Sequence, residues 1–237
     1  MRSRFLFFIC ICLLGFSLQR TGIPKSTLSK KVVKSISIQL KKEFKTKGLK
    51  WGSQIFMRVF KKEKKFEVWV KNGEKFKLFK TYSICYYSGG LGTKTKQGDG
   101  KSPEGFYFVK PNQLNPYSSY HLAFNIGYPN KYERLKGYTG SALMVHGRCV
   151  SIGCYAMGNS NIEEIYTLLQ MALENNQPFI RIHIFPFKFT DAQMNSQRIK
   201  KSKSYSFWKN LKEGYSAFEK TKVPPNVEVK NGKYVFN

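Results

Sequence analysis

The sequence predicts a mainly β domain with flanking α-helices, on three observations. Aromatic residues reach 16% of the 237, with 20 Phe and 14 Tyr, and such side chains suit the half-buried pleated face of a strand. Short aromatic and β-branched runs recur through the middle of the chain, bounded by Gly, Pro, Asn and Asp. Before, among and after them lie polar stretches with apolar residues at helical spacing. The 41% hydrophobic content can supply one sizeable core in a chain of this length.

The elements follow in order. Residues 18–50 are a basic helical lead-in, in which 27–47 spaces Leu28, Val32, Val33, Ile36, Ile38 and Leu40 among lysines and stops near Gly48. Residues 51–190 form the main domain. Runs 54–60, 65–70 and 76–82 are strands, and Lys71-Asn72-Gly73 signals a hairpin between the second and third. Residues 88–105 (SGGLGTKTKQGDGKSPEG) form a long surface loop. Strands resume at 106–110, 120–124 and 142–145. Residues 161–175 make an amphipathic helix, with Glu163 and Glu164 in its first turn and Ile162, Ile165, Leu168, Leu169 and Ala172 on one face. Run 179–185 is another strand. Residues 191–237 are a basic helical extension packed on the domain; 190–220 forms one or two helices, and Pro224-Pro225 precedes a short tail.

Residues 1–17 stand apart. Arg2 and Arg4 precede an unbroken apolar run at 5–14, and polar residues follow at once. The run is short for a bilayer span and has the layout of a secretory signal peptide, or of an N-terminal anchor if it is not cleaved. Export to the periplasm or cell envelope is the expectation. Without these residues the formal charge falls from +27 to +25, and Cys85, Cys149 and Cys154 remain. A charge of that size suits anionic wall or outer-membrane components as partners, or is a solvated surface without a role. Nucleic acid is not expected: the basic residues are scattered rather than aligned with stacking aromatics. Three cysteines in an oxidising compartment leave at least one free thiol.

The chemistry sits in 144–157 (MVHGRCVSIGCYAM). An apolar strand ends at His146, and a loop bounded by Gly147 and Gly153 returns to Cys154, so the two glycines let the chain fold back and bring imidazole and sulfur together. A free thiol, with a pKa of about 8.5, is mostly protonated near neutrality, and a neighbouring His activates it. The amides of Gly153 and Cys154 are candidate oxyanion donors. The helix expected from residue 161 begins too far along to place its dipole on Cys154. Cys85 and His183 lie in strand-like runs, where a lone Cys or His is an ordinary buried residue. Cys149 is read the same way, with a redox partnership with Cys154 as the alternative. His146, Cys149 and Cys154 lack the second Cys pair of a structural zinc site, so neither metal nor cofactor is expected.

These residues resemble a known family. His146-Gly147, then Ser151, Gly153-Cys154 and Met157, resemble the signature of the YkuD-type L,D-transpeptidases. GKSPEGFY at 100–107 resembles that family's T-P-x-G element, and SYHLAFNIGY at 119–128 is similar to its YafK-like branch. The resemblance covers about 51–234 and implies a β-sandwich-like catalytic domain. It implies that Cys154 is the nucleophile, His146 its proton acceptor and donor, and the Gly147 carbonyl the group that orients the imidazole. Ser151 and Gly153 would complete the loop and oxyanion pocket, and His121, Tyr128 and Arg148 would contact substrate. Two features depart from the common pattern: the loop is short, and Ile152 stands where the family commonly has His or Arg. The implied reaction is attack of Cys154 on the third residue of a peptidoglycan stem peptide, typically diaminopimelate, giving a thioester. An amine or water then receives the acyl group, so the enzyme is a transpeptidase or a hydrolase. Alternatives are a non-catalytic wall-binding protein and an exported thiol oxidoreductase.

Overall fold

The structure, a computed structural model, describes residues 22–237; the leader expected at 1–17 lies outside them. Helix α1 (Thr27–Thr46) starts at a reciprocal cap, with the Ser29 amide donating to Ser26 Oγ and the Ser26 amide donating to Ser29 Oγ. It buries Val32, Leu40 and Phe44 and leaves its lysines outside.

Strands β1 (Ile55–Phe60), β2 (Lys65–Asn72) and β3 (Lys75–Ser83) form a meander, and β4 is the short Tyr86–Tyr87. Then come β5 (Gly105–Val109), β6 (Leu114–Asn115), β7 (Ala123–Asn125), helix α2 (Lys131–Leu135), β8 (Met144–His146) and β9 (Tyr155–Ala156). Helix α3 (Asn159–Glu174), β10 (Ile180–Phe185), helices α4 (Asp191–Ile199) and α5 (Tyr205–Thr221), and β11 (Val227–Lys230) with β12 (Lys233–Phe236) complete the chain.

Two five-stranded sheets result, ordered β3-β2-β1-β10-β5 and β4-β9-β8-β7-β6, with β11-β12 as a separate hairpin. Met57, Val59 and Val68 of the first sheet share one core with Phe124, Val145 and Tyr155 of the second and with Ile165, Leu168 and Leu169 of α3. The domain is therefore mainly β with flanking helices. β1 is buried at every position because both its faces are covered. On its outer face Phe56 meets Phe218 of α5, and Arg58 pairs with Glu67 of β2 and Glu219 of α5. His183, on the same face of β10, is buried between the Phe56 and Phe106 rings, where burial pushes its pKa well down and keeps it neutral.

Several expectations are corrected. The loop at 88–105 is a surface loop only in part: Gly89, Gly90 and residues 95–98 are exposed, but Gly92, Lys94, Ser102 and Glu104 are buried. The Lys61 ammonium, at the end of β1, donates to Glu104 Oε1 at 2.9 Å and to the carbonyls of Gly92 and Ser102. Glu104 also accepts from the Gly92 amide and from Trp208 Nε1 of α5. α3 begins at Asn159, not 161, so Glu163 and Glu164 fall in its second turn and bind side chains instead of the helix end. The strand expected at 120–124 is confined to Ala123–Asn125, since His121 adopts φ 74°, outside the β region. Ala142, at φ 54°, likewise delays β8 to Met144. The tail is a hairpin turning at Asn231-Gly232, a dipeptide that signals such a turn. Cys85 and Cys149 are neither isolated buried residues nor partners of Cys154. They form a disulfide on the surface that ties the link between β3 and β4 to the loop after His146, and Cys154 is the free cysteine among the described residues.

Two outcomes follow from this packing. Lys61→Ala would leave Glu104 charged and unpaired in a dry site, so unfolding in urea should show a loss of about 3–5 kcal/mol; a loss under about 1 kcal/mol would show that the pair is dispensable. Alkylation of unreduced protein followed by peptide mass analysis should label Cys154 and recover the Cys85 and Cys149 peptides as one linked species. Label on Cys149 without prior reduction would refute that pairing.

Candidate active site

The site is built where β8 and β9 end side by side. They pair in parallel, Val145↔Tyr155 and His146↔Ala156, which brings the start of β9, just after Cys154, alongside Met144. The next strand, β7, pairs antiparallel with β8 and holds Ala123 opposite His146. Sequence-distant residues thus meet through sheet register, which a one-residue slip would destroy by turning the side chains to the other face.

His146 is buried, with Nδ1 2.6 Å from the Gly147 carbonyl. A carbonyl only accepts, so Nδ1 carries the proton and Nε2 is left as the base. Burial lowers the imidazole pKa, which the Gly147 carbonyl partly opposes. The Tyr120 ring lies 4.8 Å from the imidazole centroid. Gly147 is required for space: a Cβ there would stand 2.7 Å from the Tyr120 carbonyl and 2.9 Å from both His121 Cβ and Asn159 Oδ1.

Cys154 is half-buried. Its sulfur is 3.4 Å from the Met144 amide, which donates to it, and 3.8 Å from the Ala142 carbonyl. The His146 ring is not among its hydrogen-bond partners, as is common before substrate tightens a site. Burial raises the thiol pKa, while the Met144 amide and the charge of Lys94 act to lower it. The resting pair is a neutral thiol and a neutral imidazole. The Cys154 carbonyl accepts from Ser151 Oγ at 2.9 Å and from Ser102 Oγ at 3.2 Å, fixing the backbone at Cys154. Gly153 takes φ 133°, a conformation open to glycine, and its amide donates to Ser151 Oγ at 3.2 Å. An oxyanion at that amide would have to displace the hydroxyl.

The three expected substrate-contact residues are placed differently from one another. His121 Nε2 lies 2.7 Å from Glu163 Oε1 of α3, so its imidazole is already engaged. Tyr128 is buried, with its hydroxyl 3.3 and 3.4 Å from the carbonyls of Lys94 and Thr139; it forms wall behind the site. Arg148 is exposed, its guanidinium 5.8 Å from the Tyr120 ring, and its amide donates to Asn159 Oδ1. Sequence reasoning missed Lys94, Ser102, Tyr120 and Asn159. Only the Gly-rich spacing around Lys94 hinted that the loop lies close to other backbone.

Comparison with known proteins gives this geometry a family. The family model for the L,D-transpeptidase catalytic domain, YkuD, matches residues 56–223. The Escherichia coli K12 protein named "Putative L,D-transpeptidase YafK" is 50% identical over 201 residues, covering 85% of this chain and 80% of that protein. Among solved structures, a point mutant of the helical cell shape determining protein Pgp2 from Campylobacter jejuni aligns with TM-score 0.48 and 21% identity, over 70% of this chain and 56% of that one. Bd1075 of Bdellovibrio bacteriovorus aligns with TM-score 0.45 and 20% identity, over 76% and 78%. On the family match and the extent of shared sequence, this protein belongs to the YkuD-type L,D-transpeptidase family, whose members act on peptidoglycan stem peptides.

Proposed function

We propose that the chain is an exported cysteine acyltransferase of the cell envelope that remodels peptidoglycan through a thioester on Cys154. The observation that carries the reading is the parallel pairing that sets a half-buried free thiol beside a histidine whose Nδ1 is held by a backbone carbonyl. The apolar run behind Arg2 and Arg4 supports export. No helix among the described residues is long and apolar enough to cross a membrane.

The thiol proton passes to His146 Nε2 as sulfur attacks the carbonyl of the third stem residue, the diaminopimelate. The bond to the next residue breaks, and the imidazolium returns its proton to the departing amine. An acceptor amine then attacks the thioester, His146 takes its proton, and the thiolate leaves and is reprotonated. Hydrolysis is the competing fate. The loop beside the nucleophile is open, with Ile152 94% and Val150 59% exposed, so water has access to the same face.

Incubation with purified muropeptides and mass analysis separates these outcomes: cross-linked or exchanged products mark a transferase, and trimmed stems a hydrolase. Cys154→Ala should abolish both, and a carbapenem should add its mass to wild type only. No conversion and no adduct on wild type would leave a wall-binding protein. His146→Ala should lower turnover about 10²–10⁴-fold with the fold intact. Because burial holds His146 below its ordinary 6.5, the base stays available as pH falls to that value and is lost on further acidification. The acid limb of kcat/KM should therefore have its midpoint under pH 6.5; a midpoint above it would contradict a buried neutral base.

A further inference from the structure

The pair formed by His121 and Glu163 has no part in the thioester mechanism above. Their side chains are only 19% and 25% exposed, and His121 Nε2 donates to Glu163 Oε1 at 2.7 Å. Glu163 belongs to α3, whose Ile162, Ile165 and Tyr166 lie in the core. His121 takes φ 74°, uncommon for a residue with a Cβ, and such a backbone persists only where its surroundings hold it. In this conformation neighbouring side chains part. His121 reaches α3, and the Tyr120 ring lies 4.8 Å from the His146 ring, its plane tilted by 41°.

The second contact joins a buried group to an exposed one. His146 is 3% exposed and Tyr120 is 42% exposed. The Tyr120 ring therefore touches both the imidazole and water, and its loss would open the base to solvent. The same turn packs on the peptide that orients the imidazole. The Gly147 amide donates to the Leu122 carbonyl at 3.0 Å, and a Cβ on Gly147 would stand 2.7 Å from the Tyr120 carbonyl. Beyond Gly147, the Arg148 amide donates to Asn159 Oδ1, again from α3.

We infer that Glu163 and His121 are positioning residues for the base: anchored on α3, they hold Tyr120 as a roof that keeps water from the His146 imidazole. The inference rests on His146 as the base of the proposed reaction. Dry surroundings favour the neutral imidazole, in keeping with its lowered pKa. The ionisable groups on the elements packed around it are Tyr120 and His121 before β7, Arg148 after β8, Cys154 and Tyr155 at β9, and Glu163 on α3. Glu164, the next residue of α3, is turned to Lys80 and Tyr82.

The test reads the imidazole itself and needs no wall substrate, so its failure would leave the peptidoglycan reading standing. The chain has three histidines. NMR of the full chain with isotope-labelled histidine follows each through a pH titration, with signals assigned from His121→Gln and His183→Gln. Tyr120→Ala should raise the His146 midpoint towards 6.5, and Tyr120→Phe should leave it unchanged. Glu163→Ala, which a helix accommodates, should also raise it. Glu163→Gln keeps an acceptor for His121 and should not raise it. The sign decides the matter: a carboxylate acting only as a nearby charge favours the imidazolium, so its removal would lower the midpoint. A midpoint that stays or falls in folded Glu163→Ala overturns the inference, and so does one unmoved by Tyr120→Ala. The His183 signal, from a ring buried between Phe56 and Phe106, should hold still in every variant. Movement of both signals together would mean a general loosening and would refute the roof. Should Tyr120→Ala not fold, Glu163→Ala decides alone.

Discussion

The packing of the 88–105 loop beside the site depends on the ion pair between Lys61 and Glu104, both fully buried. Charges taken so far from water are tolerated because each is saturated: the ammonium has three acceptors, and the carboxylate has donors from Lys61, Gly92 and Trp208. Such a pair adds little net stability over an apolar contact of the same shape, but it admits one geometry. Its partners lie at the end of β1, along the 88–105 loop and on α5. The loop is thereby held inward at Gly92 and Ser102, which puts the Ser102 hydroxyl against the Cys154 carbonyl. An element far away in sequence, the C-terminal helix, thus becomes part of the support of the site through one indole N–H.

Burial then sets the electrostatic character of the pair. Both His146 and Cys154 are pushed towards their neutral forms, the imidazole downward and the thiol upward. A preformed thiolate–imidazolium pair would be reactive towards any oxidant or electrophile nearby, whereas a neutral pair is quieter.

How much of this was legible in the sequence depended on the range of the interactions involved. Local signals were sound: the meander follows from its aromatic and β-branched runs and from Asn72-Gly73, and α1 ends where Gly48 said it should. His146, Gly147 and Cys154 were visible because their pattern is short. Long-range constraints were not visible. Nothing local announces that Gly92, Ser102 and Glu104 of a Gly- and Lys-rich loop are buried, since their burial comes with Lys61 and Trp208, dozens of residues away on either side. Cys85 and Cys149 are separated by 64 residues, and pairing cannot be inferred from three cysteines without the fold. The turn at His121 also defeated the strand pattern, because backbone held by Gly147 and α3 overrides local propensity there.

The parallel pairing of β8 with β9 leaves the first part of the connection, before Ser151, little role in setting where His146 and Cys154 stand. His146 and Cys154 are located by their strands, and Cys149 is tethered separately to Cys85, so the short span from Val150 to Gly153 hangs between two fixed points. Doubling the length of a flexible connection costs only about 0.6 kcal/mol in closure entropy. Residues can therefore be inserted ahead of Ser151 while His146 and Cys154 keep their separation. A change of length there alters the surface beside Cys154 while the strand register stays as it is. An exposed isoleucine, Ile152, stands in this span beside Cys154.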